Sequence, residues 1–529
     1  MKDPNEVCII VQARLGSKRV PQKMVRPFAD TTLMDLCIKK ITNSRYLPQK
    51  NIYASVYEKE LSNWILKEKK ASKLAEIINY LWLEKSTELV LFRKKLIDQN
   101  ISEILNLHTY ARNFVKKNIT INETVLVAQS ILENNVENSK IDLGKLTFEY
   151  ITKNKKDINE FTKKTLDKFI SNNQKLNPKD VILYGFGRIG RLVARELIAQ
   201  EGAGNQLRLR AIVTRSNSED SIIKRASLLR TDSVHGKFPG TVYEDLENKS
   251  LVINGRSIPV IASSNPDKIN YTEYGIKNAL VIDNTGAFRD DQSLKLHLNS
   301  NGVSKVLLTA PGKNIPNIVF GINHDIDIEN ENIFSAASCT TNAITPILNV
   351  VENNLKINKA HIETIHAYTN DQNLVDNMHK KYRRGRAAAL NMVITETGAG
   401  KAVTKAIPSL KNKITSSAIR VPTPNVSLAI LNISIDKKTS LDELNELMRK
   451  SSLDGNLVEQ IRYSTSNELV SSDIVGDCAA SIYDSCATQV SNDGKNIILY
   501  VWYDNEFGYT RQVIRLAKYI SKVRRKCYY

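Results

Sequence analysis

The stretch Asp180-Val-Ile-Leu-Tyr-Gly-Phe-Gly-Arg-Ile-Gly-Arg191 decides the fold of the main body of this 529-residue chain. An apolar strand leads into a glycine turn and the start of a helix, with Gly185, Gly187 and Gly190 in the spacing GxGxxG. In this context the first glycine turns the chain, the second lets backbone approach a pyrophosphate, and the third lets the helix pack on the strand. The pyrophosphate is expected at the helix N-terminus. The stretch therefore predicts a Rossmann domain that binds a dinucleotide.

The residues after the next strand bear on the choice of dinucleotide. A fold that binds NAD normally places Asp or Glu about 20 residues after the glycines, where it holds the ribose hydroxyls. Here the strand Leu207-Arg-Leu-Arg-Ala-Ile-Val213 is followed by Thr214-Arg-Ser-Asn217, without a carboxylate. Arg215 is well placed for a 2′-phosphate, so the sequence predicts NAD or NADP as cofactor. The alternative is that Arg215 is only a solvated loop cation.

A cysteine further along is the candidate nucleophile. Ser335-Ala-Ala-Ser-Cys-Thr-Thr-Asn-Ala-Ile-Thr-Pro346 is typical of a tight turn that feeds a helix, with Cys339 near the first turn. Partial positive charge at a helix N-terminus favours the thiolate. The stretch His361-Ile-Glu-Thr-Ile-His-Ala-Tyr-Thr369 alternates like a strand and carries His366. A Cys and a His in this form predict an activated nucleophile, although a buried structural Cys and a core His are the plainer alternatives.

Two segments around these residues resemble a known enzyme family. Ala337-Ser-Cys-Thr-Thr-Asn342 and His366-Ala-Tyr-Thr-Asn-Asp-Gln372 resemble the catalytic segments of glyceraldehyde-3-phosphate dehydrogenases, and the resemblance extends in order over residues 176–521. It implies an α/β fold: a Rossmann domain plus an α+β catalytic domain with a mixed or antiparallel sheet. It also implies phosphorylating oxidation of D-glyceraldehyde 3-phosphate to 1,3-bisphosphoglycerate through a cysteine thioester, in glycolysis or gluconeogenesis, by a homotetramer.

The resemblance also implies roles for individual residues. Cys339 and His366 would be catalytic, Asn505 would hydrogen-bond the nicotinamide amide, and Tyr509 would pack beside its ring. The full cofactor-binding set is Gly185, Phe186, Gly187, Arg188, Ile189, Gly190, Thr214, Arg215, Thr309, Asn505 and Tyr509. Thr369 and Arg420 would hold the substrate phosphate, and a second anion site would take inorganic phosphate through Ser338, Thr340, Thr397 and Gly398. For each Ser or Thr, a helix cap or turn residue is the structural alternative.

The chain ahead of this body divides into two further predicted parts. Residues 1–70 open with the apolar strand Val7–Gln12 and the cationic Gly-Ser loop Ala13–Lys23, which resemble the start of sugar cytidylyltransferases, although that family's metal-binding acidic residues are not found here. Residues 71–175 carry an apolar stripe at helical spacing. This helical N-terminal extension resembles that of a longer bacterial branch of the dehydrogenases, which shares the motif Ile141-Asp-Leu-Gly-Lys145.

The predicted domains follow from these parts. They are a partial nucleotidyltransferase-like segment at 1–70, a helical extension at 71–175, a Rossmann domain at 176–338 completed by the C-terminal helix 505–529, and a catalytic domain at 339–504.

Composition limits the remaining function classes. The net charge of +19 is spread along the chain, which suits anionic substrates and permits non-specific nucleic-acid contact. The tail Arg524-Arg-Lys526 is interpreted as a solvated charge cluster. Six cysteines without a CxxC pair favour a reducing cytoplasm, and no membrane span, metal site or specific nucleic-acid partner is predicted. Erythrose-4-phosphate dehydrogenase, an RNA-binding protein and a sugar cytidylyltransferase stay open as alternatives.

Overall fold

The computed structural model of this protein describes residues 27–28, 31–32, 49–153, 157–170, 176–202 and 204–529, with side chains from Tyr57 onward. The predicted strand and cationic loop at residues 7–23, and most of the predicted segment 1–70, lie outside the described residues. Of the linker that the sequence predicts at residues 172–178, residues 172–175 also lie outside the described residues. The helix Gln49–Lys85 runs without interruption through residue 70, where the sequence places a boundary.

The predicted Rossmann domain is present, and it is built on a sheet of eight strands. Its central strands are apolar and fully buried, as in Val181–Tyr184, because helices cover both faces of a parallel sheet. Six strands are parallel, and an antiparallel pair extends one edge. In spatial order the strands are Val242–Asp245, Ser250–Ile253, Arg256–Ala262, Leu207–Thr214, Lys179–Tyr184, Ala279–Asp283, Val303–Leu308 and Ile333–Ser335.

Helices from both ends of the dehydrogenase region pack around this sheet. Phe507–Ile520 packs against Arg188–Glu201, the helix that follows the glycine turn, and contributes Tyr509, Val513 and Ile514 to the same apolar core. The Rossmann domain is thus completed by residues near the end of the chain. The other helices here are Glu219–Arg230 and Asp291–Leu298, with short 3-10 turns at Pro266–Lys268 and Tyr271–Tyr274 and a small ladder of Thr231–Asp232 with Gly236–Lys237.

The catalytic domain has a second sheet of eight strands, and its pairing is mixed, as predicted. The central strand Ile357–Ala367 pairs in parallel with Ile414–Val421 and antiparallel with Ser427–Ile435. The spatial order is Val393–Thr395, Ile414–Val421, Ile357–Ala367, Ser427–Ile435, Asn496–Tyr503, Ser481–Asp484 and Ile461–Ser464, with Gln489–Val490 beside Asn496–Tyr503. Its helices and 3-10 turns are Cys339–Leu355, Tyr382–Gly385, Ala399–Ala406, Pro408–Leu410, Leu441–Leu453 and Ser471–Ile474.

The N-terminal extension is rich in helices, as predicted, but it also contains a small sheet that the sequence did not predict. Short strands separate its helices: Glu88–Leu91, Lys94–Lys95 and Ser139–Asp142. The helices are Gln49–Lys85, Ile101–Val115, Ile121–Glu133, Leu143–Thr152, Ile158–Thr165 and Asp167–Ile170, and the strands Pro27–Phe28 and Thr31–Thr32 pair ahead of them. These strands have two to four residues, too short for a period-2 pattern to show.

The extension's sheet is completed by the last residues of the chain, which corrects the interpretation of the cationic tail. Lys526–Tyr528 pairs in parallel with Ser139–Asp142. Arg525 is only 6% exposed and lies over the ring of Trp82, at 4.6 Å from its centroid. Arg524 approaches Glu459 at 3.7 Å. The tail is therefore part of the fold, because strand pairing and buried contacts outweigh the solvation of its charges.

The motif Ile141–Lys145 has a structural role in this sheet. The fully buried carboxylate of Asp142 accepts hydrogen bonds from the backbone N–H groups of Phe92, Arg93 and Lys145 at 2.9 to 3.0 Å. It thereby caps the helix Leu143–Thr152 and holds the turn before Lys94–Lys95. Gly144 lies against Phe92, where a Cβ would come within 2.7 Å of the ring.

Within the described residues, no helix combines the length and apolarity needed to cross a membrane.

Candidate active site

The turn before Cys339 places the thiol at the start of a helix. Ala337 adopts a left-handed conformation with φ of 55°, and Ser338 caps the helix Cys339–Leu355 by accepting a hydrogen bond from the N–H of Thr341 at 3.0 Å. Tyr509 anchors the turn, because its hydroxyl donates to the carbonyl oxygen of Ala337 at 2.9 Å. Cys339 is half-buried and is the first residue of the helix.

His366 faces this thiol from the central strand of the catalytic sheet. Its Nε2 lies 3.6 Å from the Sγ of Cys339, so the structure brings the two predicted catalytic residues together. Its Nδ1 lies 2.7 Å from both the Nη1 of Arg420 and the carbonyl oxygen of Ala367. If Nδ1 accepts from Arg420, the ring proton is on Nε2 and points at sulfur. If Nδ1 donates to Ala367, Nε2 is free to accept a proton from sulfur.

Burial and charge act in different directions on this pair. Burial raises the pKa of the Cys339 thiol above its ordinary value, while the nearby cation Arg420 and hydrogen bonds at the helix start oppose that rise. The expected help from the helix N-terminus is present but smaller than the cost of burial. Burial and Arg420 together lower the pKa of His366 to about 3. A neutral His366 can therefore act as a proton acceptor throughout the ordinary pH range.

The charge of Arg420 should be measurable through the thiol. We expect Arg420→Gln to raise the pKa of Cys339, because the lost cation stabilises the thiolate. The change is best made in the His366→Asn background, where no imidazole titrates beside the sulfur. The pH midpoint of Cys339 alkylation by iodoacetamide should move upward, and Lys401→Gln, an exposed cation on the helix Ala399–Ala406, should leave it in place. An unchanged or lower midpoint in the Arg420 variant contradicts the assignment.

A cavity of about 410 Å³ opens in front of the Cys339–His366 pair. Its lining includes both members of the pair and five of the residues predicted to hold phosphate: Ser338, Thr340, Thr397, Gly398 and Arg420. Thr397 and Gly398 precede the helix Ala399–Ala406, where Gly398 is the N-cap residue and makes no side-chain cap. Thr369 follows the strand of His366, is half-buried and is not among the lining residues.

Sequence reasoning missed three further cations in this lining. Arg289, Lys381 and Arg384 border the cavity together with Arg420, and Glu396 is the one acidic residue of the described lining, so the lining has a net positive charge. Arg384 also donates to Thr395 and pairs with Asp371. The run of basic residues from Lys380 to Arg386 was the available signal, but it did not reveal which side chain turns inward. A cavity with four cations and several hydroxyls suits phosphate groups.

A groove of about 290 Å³ follows the glycine turn, and its geometry fits a dinucleotide. Gly185 has φ of +92°, and a Cβ on Gly190 would come within 2.4 Å of the carbonyl oxygen of Gly185. A Cβ on Gly187 would meet nothing within 4 Å, so backbone is open to a ligand there. The lining includes Gly185, Phe186, Gly187, Thr214 and Arg215 of the predicted set, and none of the described lining residues is Asp or Glu.

The remaining predicted cofactor residues lie outside the residues that line this groove. Ile189 and Gly190 form the first turn of the helix Arg188–Glu201. Thr309 donates to the carbonyl oxygen of Asp283 at 3.0 Å, and Asn505 accepts from Ser427 at 2.9 Å. Tyr509 is buried, with the contact to Ala337 described above. Their geometry gives each residue a structural contact, and their cofactor roles stay predictions.

Arg188 joins the glycine turn to the end of the catalytic sheet. Its guanidinium pairs with Asp232 at 3.1 Å and with Glu506, and Glu506 also contacts the Nε2 of His235 at 3.0 Å. Asp232 further accepts from the N–H of His235 at 3.0 Å. This network fixes Asn505, the neighbour of Glu506, relative to the nucleotide helix. Arg188 thus has a positioning role that the sequence motif did not predict.

A Rossmann groove, together with a Cys–His pair at the wall of a cationic cavity, is the combination expected of a dinucleotide-dependent oxidoreductase. Two family models match the same regions: the NAD binding domain of glyceraldehyde 3-phosphate dehydrogenase over residues 179–291 and its C-terminal domain over residues 338–505. A cytidylyltransferase model matches residues 8–68, as the sequence resemblance predicted.

Curated relatives agree with these matches. A glyceraldehyde-3-phosphate dehydrogenase-like protein of Pseudomonas aeruginosa is 48% identical over 434 residues, which cover 81% of this chain and 94% of that protein. Glyceraldehyde-3-phosphate dehydrogenases of Streptococcus pyogenes and Trichormus variabilis are each 39% identical, over 64% and 65% of this chain and 97% and 98% of those proteins. This chain belongs to the glyceraldehyde-3-phosphate dehydrogenase family, and its cofactor is NAD or NADP.

Proposed function

We propose that this protein oxidises D-glyceraldehyde 3-phosphate to 1,3-bisphosphoglycerate with inorganic phosphate, in glycolysis or gluconeogenesis. The observation that carries the proposal is the 3.6 Å contact between Cys339 Sγ and His366 Nε2, at the wall of a cavity that also presents Arg420 and the hydroxyls of Ser338 and Thr340. Such a site can hold a phosphorylated aldehyde with its carbonyl carbon at the sulfur.

The chemistry follows from these groups. The thiol of Cys339 adds to the aldehyde carbon, and the thiol proton passes through His366 to the carbonyl oxygen, which becomes a hydroxyl. His366 then accepts the hydroxyl proton as hydride leaves the carbon. A bound nicotinamide supplies the hydride acceptor that this oxidation needs. The carbon is then a thioester on Cys339, which retains the oxidation energy that a free acid would lose. Phosphate attacks the thioester carbon, the carbon–sulfur bond breaks, and the acyl phosphate leaves.

The lining of the cavity supports two anion sites. Arg420 would hold the substrate phosphate, as would Thr369 if it turns toward the ligand. Ser338, Thr340, Thr397 and Gly398 would take inorganic phosphate through hydroxyls and backbone N–H groups. Arg384 is added to this set by its place in the lining.

One assay tests the proposal. Purified protein is mixed with glyceraldehyde 3-phosphate and NAD or NADP, with and without inorganic phosphate, and reduced cofactor is followed by absorbance. Phosphate-dependent turnover is the expected result. Turnover with erythrose 4-phosphate alone would identify that aldehyde as the substrate in place of glyceraldehyde 3-phosphate. The absence of turnover with either aldehyde would contradict the proposed function.

We also propose that NADP is accepted as well as NAD. Arg215 is exposed at the end of the strand Leu207–Thr214, Arg225 lines the same groove, and no described lining residue is acidic. Arg215→Gln should lower kcat/KM for NADP about tenfold, because one charge-assisted contact to the 2′-phosphate is lost. The same substitution should change kcat/KM for NAD much less. Lys224→Gln, an exposed cation on the next helix, is the matched control. Undetectable NADP turnover by the unmodified protein rejects the idea.

The oligomer proposed from the family resemblance is a homotetramer. Large apolar side chains are exposed within residues 373–395: Leu374, Val375, Met378, Tyr382, Leu390, Met392 and Ile394, at 60 to 93%. Monomers rarely expose such a concentration, so a second copy of the chain is the expected cover. Light scattering should give a particle of four 59.6 kDa chains. Leu390→Glu with Met392→Glu should yield smaller particles, whereas Leu228→Gln, at an exposed position of the helix Glu219–Arg230, should not.

A further inference from the structure

A second cavity, lined by both charged and apolar side chains, lies between the N-terminal extension and the dehydrogenase. It measures about 230 Å³ and shares no lining residue with the reaction cavity or the cofactor groove. Its walls come from the extension strands Glu88–Leu91 and Lys94–Lys95, from the catalytic strand Ile461–Ser464, and from the helix Phe507–Ile520. Neither the fold nor the proposed reaction requires a cavity here.

The described lining of this cavity holds seven Lys or Arg residues against three acidic residues, which are Glu88, Glu459 and Asp477. Lys94 and Arg462 share one carboxylate, that of Asp477. Burial and the charge of Arg462 lower the pKa of Lys94 to about 7, as expected for a cation without a full counter-charge. Arg511 is only 8% exposed and pairs with Glu196, yet its Nε has no hydrogen-bond partner in the described part of the chain. The Nε of Arg515 also makes no hydrogen bond there, and it lies 3.7 Å from the carboxylate of Glu459.

The other side of the cavity is aromatic. The rings of Tyr110 and Phe114 stack with centroids 5.4 Å apart and planes 18° from parallel, and both residues line the cavity. The ammonium of Lys94 lies 5.5 Å from the ring centroid of Tyr110, so the cationic and aromatic sides meet. A ligand that fits both sides has a flat ring system and a phosphate. Inorganic anions would use only half of the lining.

We propose that this cavity binds a nucleoside phosphate, with the phosphate against Lys94, Arg462 and Arg511 and the base against Tyr110 and Phe114. Guanidinium and ammonium groups recognise phosphate oxygens, and aromatic faces accept a base by stacking. The cavity shares no lining residue with the cofactor groove, so the two would be separate nucleotide sites.

The occupant would be an effector of the active site. Arg511 contacts the cavity from the helix Phe507–Ile520, and Tyr509 of the same helix donates to Ala337, two residues before Cys339. On another wall, Gly476 donates to the carboxylate of Asp504, the neighbour of Asn505. A phosphate that draws Arg511 toward it thus acts on the helix that anchors the catalytic turn. This regulatory part rests on the proposed function, whereas the binding part does not.

Calorimetry tests the binding directly. The full chain is saturated with NAD to fill the cofactor groove and is titrated with AMP, ADP, ATP, UMP and UTP. At least one nucleotide should bind, and Arg462→Gln should weaken it about tenfold or more through the loss of a charge-assisted contact. Arg449→Gln on the helix Leu441–Leu453, a cation that pairs with Glu446 outside the cavity, should leave the affinity unchanged. Lys94→Gln, on the extension side, should repeat the loss if Arg462→Gln impairs folding.

Three outcomes overturn the proposal. They are no heat of binding with any of the five nucleotides, binding that NAD displaces, and binding that both cavity variants retain in full. The coupling is read separately, as the rate of Cys339 alkylation by iodoacetamide with and without the bound nucleotide. A rate change in the native protein that is absent in Arg462→Gln supports the effector role, and an unchanged rate removes it. Neither readout needs aldehyde oxidation, so a failure of the proposed reaction leaves both results interpretable.

Discussion

Cys339→Ser is expected to abolish aldehyde oxidation, with kcat reduced at least about a thousandfold. A serine hydroxyl is almost never ionised near neutral pH and is a weak nucleophile beside a histidine with a low pKa. The substitution removes no volume that the half-buried site needs, so folding and cofactor binding should persist. Stopped-flow absorbance gives the turnover, and fluorescence titration gives the Kd for NAD.

A second thiol provides the matched control for this experiment. Cys486 is exposed and lies outside the reaction cavity, so Cys486→Ser should keep full activity. Iodoacetamide should inactivate the native protein and the Cys486 variant alike, because Cys339 remains in both. Full activity in Cys339→Ser would end the proposal of a thioester mechanism.

His366→Asn is expected to lower kcat by about 10² to 10⁴, the usual range for the loss of a general base. Asparagine retains a polar side chain of similar reach but cannot accept the hydroxyl proton. Arg420 and the carbonyl oxygen of Ala367 would keep hydrogen-bond partners, so the strand should stay in place. The Kd for NAD should change by less than about twofold, because the ring lies at the sulfur and not in the cofactor groove.

The same strand carries a control residue. His361 lies on the exposed side of Ile357–Ala367, with its Nδ1 2.8 Å from the hydroxyl of Thr415. His361→Asn should leave kcat and KM unchanged, since the side chain of His361 lies on the side of the strand that faces away from Cys339. Equal losses in the two variants would indicate a general effect on the strand and would contradict a proton-accepting role for His366.

The sequence predicted the two large sheets and the meeting of Cys339 with His366. Both depend on local patterns: a glycine turn between a buried strand and a helix, and a cysteine in a capped turn. Such patterns can be predicted because each depends on the backbone of only a few neighbouring residues. Gly185 supplies the positive φ of its turn, and Ser338 caps the helix that begins at the next residue. The family resemblance predicted that Arg420 belongs to the site, and the register of the two paired strands places Arg420 beside His366.

What the sequence could not predict depends on contacts between distant segments. Arg384 reaches the reaction cavity because the segment after His366 folds back onto the strand Val393–Thr395, where Arg384 donates to Thr395. The sheet of the extension joins residues 88–91, 94–95, 139–142 and 526–528. The local sequence of a strand of two to four residues does not indicate that its pairing strand lies almost 400 residues away in the chain. The high pKa of Cys339 likewise follows from burial by several elements and not from its own helix.

The pairing of Lys526–Tyr528 with Ser139–Asp142 has a consequence for biosynthesis. A ribosome delivers residues 139–142 long before residues 526–528, so the strand Ser139–Asp142 presents an open edge while the two dehydrogenase domains are still being made. Open strand edges recruit other nascent chains, and such early associations are a route to aggregation. Removal of residues 524–529 would make that transient state permanent. Loss of these last few residues should therefore reduce the yield of native protein far more than their number suggests.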